Sequence, residues 1–121
     1  MNESWIPKRV LLGLGVTLLL LITGCSSEPA TKEITLVAED IVWDQNAIDL
    51  QVGQTVILTL RNDGALDHTF VAKELDLNVL LGPGEIQELS FVVSEAGTLS
   101  YICDIPGHEE AGMAGEFIVS E

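Results

Sequence analysis

Residues 101–119 read YICDIPGHEEAGMAGEFIV. The stretch alternates at both ends. Tyr101 and Cys103 share one parity before the interruption, and Phe117 and Val119 share one after it. Pro106-Gly107 supplies turn chemistry between them, so the pattern predicts two strands joined by a loop. The contents of that loop region are unusual for this chain. It holds one of two histidines, one of two cysteines, and the only methionine besides Met1.

Upstream of this stretch the same period of two recurs in short segments. Ile34, Leu36 and Ala38 share a face, as do Ile48, Leu50 and Val52 before the turn at Gly53. Val56, Leu58 and Leu60 follow, closed by Asn62-Asp63-Gly64. His68, Phe70 and Ala72 form the next set. Leu89, Phe91 and Val93 come after Gly82-Pro83-Gly84, and Leu99 leads into Tyr101 and Cys103. Short alternating runs punctuated by Gly, Pro, Asn and Asp predict an all-β sandwich. Residues 73–81 (KELDLNVLL) fit no period and are compatible with a short helix, a loop or an irregular strand.

The N-terminal part reads as a targeting segment. Lys8 and Arg9 precede an uncharged apolar run over residues 10–22, the pattern of a secretory leader and short for a membrane span. The run ends in Ile22-Thr23-Gly24-Cys25, which resembles the lipobox of bacterial lipoproteins. That resemblance implies acylation of Cys25. The chain then divides into a lipoprotein signal peptide (1–24), a lipidated cysteine with a flexible linker (25–32), and one domain (33–121). The expected location is the outer face of the cytoplasmic membrane or the periplasmic side, held by lipid.

Counting from Cys25 leaves Lys32, Arg61 and Lys73 against 18 acidic residues, a formal charge of −15. Phosphate contacts need Lys and Arg, so this balance opposes nucleic acid and anionic lipid headgroups and favours cationic protein partners. Cys103 then has three readings: a Cys25–Cys103 disulfide, which requires that Cys25 carry no lipid, a disulfide between chains, or a metal thiolate.

The surroundings of Cys103 favour the metal. Cys103, His108 and Met113 are spaced C-x4-H-x4-M, and His68 lies on an inward-facing parity upstream. Two imidazoles, a thiolate and a weak axial thioether suit a blue-copper electron-transfer site. Taken singly, each residue reads as core: a satisfied histidine, a buried thiol, a gap-filling methionine. Their joint spacing reverses that reading. Zinc is the rival metal, but methionine is a poor zinc ligand, and Asp104 or Glu109 would have to substitute.

The stretch from Tyr101 to Val119 resembles the C-terminal copper loop of the cupredoxins, the blue copper proteins that include plastocyanin, azurin and auracyanin. Asp67-His68-Thr69-Phe70 is similar to their upstream histidine strand, and Leu81-Gly82-Pro83-Gly84-Glu85 to a turn between the two ligand segments. The likeness covers residues 33–121. It implies a Greek-key sandwich of seven to eight strands and one type 1 copper per chain, held by His68, Cys103, His108 and Met113. It also implies that His108 is the electron port, set in an apolar patch for which Ile105, Pro106, Gly107 and Ala111 are available. Asp104, Glu109 and Glu110 would steer a basic partner there. Many cupredoxins carry Asn after the upstream histidine, bracing the loop; here Thr69 stands in that place, and its hydroxyl can still reach across.

The function expected from this resemblance is one-electron transfer by a monomer. Its partners would be a quinol-oxidising complex or cytochrome on one side and an oxidase, cytochrome or reaction centre on the other. A copper-delivery or buffering lipoprotein is the alternative. Catalysis is not expected, because copper oxidases and nitrite reductases need further histidines and only His68 and His108 are present. Trp43 reads as core rather than as an electron relay, and Asp67 as a strand-edge carboxylate.

Overall fold

Alternation sets most of the strand boundaries in the computed structural model, which describes residues 30–121. The expected leader (1–24), the lipidation site Cys25 and most of the linker (25–32) lie outside the described residues. The strands are β1 (Lys32–Glu39), β2 (Val42–Trp43), β3 (Ala47–Gln51), β4 (Thr55–Asn62), β5 (His68–Ala72), β6 (Leu77–Leu81), β7 (Ile86–Val92), β8 (Gly97–Ile102) and β9 (Ala114–Ser120). Two sheets form, ordered β2-β1-β4-β7 and β3-β9-β8-β5-β6. Both are mixed: β1 runs parallel to β4 and β3 parallel to β9, while the other pairs are antiparallel. This is the expected all-β Greek-key sandwich.

Among the described residues nine strands stand where seven to eight were expected. One addition is β2, a two-residue return from β1 through the Asp40-Ile41 turn. Another is β6, which resolves residues 73–81. A single 3-10 turn over Lys73–Leu75 ends at Asp76, whose φ of 54° is left-handed and whose N–H returns to the Lys73 carbonyl at 3.1 Å. Aspartate tolerates that conformation better than most residues. The chain then pairs back on β5, with Leu81 opposite His68.

The core lies between the sheets. Leu36, Leu58 and Leu60 face Phe70, Tyr101 and Phe117, all fully buried. The Phe70 and Tyr101 rings stack at 5.5 Å, and Trp43 meets both edge-on at 5.9 and 6.3 Å. Trp43 is therefore part of the core, as the sequence suggested. At the site end, buried Asn62 ties three segments together. Its Nδ2 donates to the Leu66 and Leu81 carbonyls at 2.8 and 3.0 Å, and its Oδ1 accepts from the Gly64 N–H at 2.9 Å. A satisfied buried amide of this kind fixes geometry, because any shift leaves polar groups unpaired. It anchors the loop that delivers His68.

Tyr101 offers a direct readout of this core. Its hydroxyl donates to the Gln45 carbonyl at 2.7 Å. Burial, and then the nearby Asp44 carboxylate, push its pKa up to about 12. The unfolded chain ionises tyrosine near about pH 10. A raised folded-state pKa stabilises the fold fully below that value, and the stabilisation is lost as pH climbs towards 12. As the chain has one tyrosine, the ultraviolet tyrosinate signal is unambiguous. It is expected only near pH 12 or with unfolding. A tyrosinate signal rising near pH 10 in a chain that keeps its near-ultraviolet dichroism would contradict this packing.

Candidate metal centre

Three groups converge at one end of the sandwich. His68 opens β5, Cys103 follows β8, and His108 lies in the loop between β8 and β9. One ligand atom from each lies within 4.8 Å of the others. Cys103 Sγ is 3.4 Å from His108 Nδ1, and the two imidazole centroids are 5.2 Å apart. His68 and Cys103 are fully buried, and His108 retains 9 % exposure. Met113 is also fully buried, at the C-terminal end of the same loop.

The loop is closed by its own backbone. The Cys103 N–H donates to the Met113 carbonyl and the Met113 N–H to the His108 carbonyl, both at 3.0 Å. The His108 N–H reaches back to the Ile105 carbonyl at 3.0 Å. These bonds strap the loop at its neck, immediately beyond the Ile102–Ala114 pair that ends the hairpin. The Pro106-Gly107 turn appears as expected, with Gly107 at a φ of 88°. Three scarce side chains are thus gathered by one hairpin and one neighbouring strand, with Met113 buried at the end of the same loop.

Thr69 braces the loop. Its hydroxyl donates to Asp104 Oδ1 at 2.7 Å and accepts from the Asp104 N–H at 2.9 Å. The hydroxyl also lies 3.6 Å from Cys103 Sγ, and the Thr69 backbone N–H points at the same sulfur from 3.3 Å. A hydroxyl has one proton. The shorter bond to a carboxylate holds it, so the sulfur's effective donor is the backbone N–H. Asp104 is engaged by Thr69, and no carboxylate joins the His68–Cys103–His108 group among the described residues.

The donor chemistry fits copper. Neither ring nitrogen of His68 has a hydrogen-bond partner although the ring is fully buried, which is costly unless a ligand takes one of them. Burial, and then the adjacent His108, push the His68 pKa below its ordinary value, opposed by Asp40 and Asp67. The site therefore favours the neutral imidazole, the form that binds metal. Two imidazoles and a thiolate in a buried three-point group match a type 1 copper site rather than a four-ligand zinc site.

One neighbour had no signal in the sequence. Asp40, in the turn between β1 and β2, places Oδ1 at 3.8 Å from His68 Nε2. Asp67, next to His68 in the chain, is exposed, in keeping with a strand-edge carboxylate. Asp40 is 28 positions away from His68 and meets it only through the β1–β2 return. Gly115, two residues beyond Met113, also acts through a distant contact: the group it makes room for is the Tyr101 ring.

Comparison with known proteins agrees with this geometry. Residues 12–119 match the Cupredoxin-like domain family. The chain is 26% identical to the copper-resistant cuproprotein CopI of Pseudomonas aeruginosa, across 74% of this chain and 77% of that protein. It is also 26% identical to auracyanin-A of Chloroflexus aurantiacus, across 78% and 76%. Among solved structures, reduced auracyanin from Roseiflexus castenholzii superposes with a TM-score of 0.67 at 22% identity, covering 76% of this chain and 99% of that one. The chain belongs to the cupredoxin-like family.

Proposed function

We propose that this protein is a one-electron carrier whose single copper is held by His68, Cys103, His108 and Met113. The convergence of two imidazoles and a buried cysteine sulfur within 4.8 Å carries this reading. When bound, copper supplies a Cu(II)/Cu(I) couple. The residues supply a fixed frame: backbone straps hold Cys103, His108 and Met113, and the sheet holds His68. A frame that does not rearrange keeps reorganisation small during electron transfer.

His108 is the electron port, the least buried of the four residues. Ile105, Pro106 and Ala111 lie beside it as its apolar border, with exposed Asp104, Glu109 and Glu110 to steer a basic partner. Donor and acceptor are redox proteins at a membrane: a quinol-oxidising complex or cytochrome, and an oxidase, cytochrome or reaction centre. A lipid on Cys25 keeps the carrier at that surface. Copper delivery or buffering is the second reading, favoured by the likeness to CopI, whose name describes it as copper-resistant.

Adding Cu(II) to the purified protein is expected to produce an intense thiolate-to-copper band at one copper per chain. Weak, carboxylate-type spectra would contradict the site. Thr69→Val separates two contributions. The backbone N–H on the Cys103 sulfur persists, so the band is expected to keep its position. Loss of the Asp104 brace lowers copper affinity about tenfold, measured by competition with a chelator. A shifted band with unchanged affinity would contradict the division of labour at Thr69.

A further inference from the structure

Asp40 is held in place by more contacts than a turn residue needs. Its Oδ1 accepts the Ala65 and Leu66 N–H groups at 2.9 and 3.3 Å, across the loop that leads into His68. The same oxygen faces His68 Nε2 at 3.8 Å. Gly64 packs so tightly on it that a Cβ there would overlap the carboxylate. The next residue, Ile41, sits at a φ of 66°. A β-branched residue is strained in that region, and such strain persists only where surrounding contacts enforce it. The turn thus retains a strained residue while its carboxylate is anchored beside a fully buried imidazole that lacks any hydrogen-bond partner.

Resting on the copper-site reading above, we propose that Asp40 is a positioning residue for His68: its carboxylate accepts a hydrogen bond from Nε2–H, fixes the tautomer, and leaves Nδ1 for the metal. The gap of 3.8 Å exceeds a hydrogen bond, so the proposal requires the ring and the carboxylate to draw together when the metal binds. A ligand imidazole that donates its other N–H to a carboxylate is both oriented and made more electron-rich, which favours Cu(II) over Cu(I). Asp67 is not required for this role, since the contact comes from the β1–β2 turn.

The test compares the full chain with Asp40→Asn and Asp40→Ala. Asparagine keeps an oxygen for the Ala65 and Leu66 N–H groups and removes the charge. Alanine removes both. Nitrogen NMR of the His68 ring in Cu(I)-loaded wild type is expected to show one tautomer, protonated at Nε2. Asp40→Asn is expected to keep wild-type melting and a thiolate band, but to bind Cu(II) about tenfold more weakly. If Cu(I) affinity is unchanged, the midpoint potential rises by about 59 mV, the one-electron equivalent of that factor. Asp40→Ala should show the same rise together with lower stability. Unchanged potential and Cu(II) affinity in Asp40→Asn, or a His68 ring protonated at Nδ1, would overturn this role while leaving the copper site intact. A wild type without any thiolate band would overturn both readings.

Discussion

Cys103→Ser is expected to abolish the thiolate-to-copper band while leaving the sandwich folded. The sulfur is the only cysteine sulfur among the described residues, and it sits fully buried between the Thr69 N–H and the His108 ring. Serine is close in size, and its oxygen can accept the same N–H, so the packing changes little. Its oxygen is a harder ligand, and no sulfur-to-metal charge transfer remains. Loss of stability should stay within the usual 0.5–3 kcal/mol of single substitutions, read by thermal melting of the metal-free protein. A variant that keeps the band would place the copper elsewhere in the chain.

Gly115→Ala should be the most damaging small change in the described domain. A Cβ at this position would overlap the ring of Tyr101. That ring has nowhere to go. It stacks on Phe70, packs on Phe117 with centroids 4.9 Å apart, and its hydroxyl is bound to the Gln45 carbonyl. Overpacking a rigid core typically costs about 1–3 kcal/mol, and this position belongs at the upper end. For a domain of this size, about 3 kcal/mol corresponds to roughly 12–24 °C in Tm. Two observations check the cause. Tyr101→Leu in the Gly115→Ala background should cost less than the sum of the two single changes, since one relieves the other. Full additivity would mean that Tyr101 is not what the new methyl group meets. Gly115 lies two residues from Met113, so the copper band should also broaden as the hairpin shifts.

Much of this was legible in the chain. Alternation in β4 needed no tertiary information, because one face of each strand is buried and a strand's period is two. The ligand loop was legible because scarce residue types cluster at a spacing that chance and core packing do not explain. Residues 73–81 were not, because their structure depends on a left-handed Asp76 and on pairing with β5. Leu77, Val79 and Leu81 do alternate, but a five-residue segment after a 3-10 turn is too short for its period to stand out. Asp40 and Gly115 were illegible for a stricter reason. Their roles are contacts with His68 and Tyr101, set by how the chain returns on itself, and no local pattern encodes them. Thr69 lies between these cases: its position beside His68 suggested a brace, and the fold supplies the partner, Asp104.

Electron carrier and copper-delivery protein share every ligand proposed here and differ in what the copper does. The deciding measurement is voltammetry of the copper-loaded wild-type protein, repeated in the presence of a Cu(I) chelator. A carrier gives a reversible one-electron couple at one copper per chain, with the thiolate band returning fully after each cycle and the metal retained. Copper that passes to the chelator as Cu(I), with no accessible Cu(II) state, would contradict that account and assign the site to copper handling.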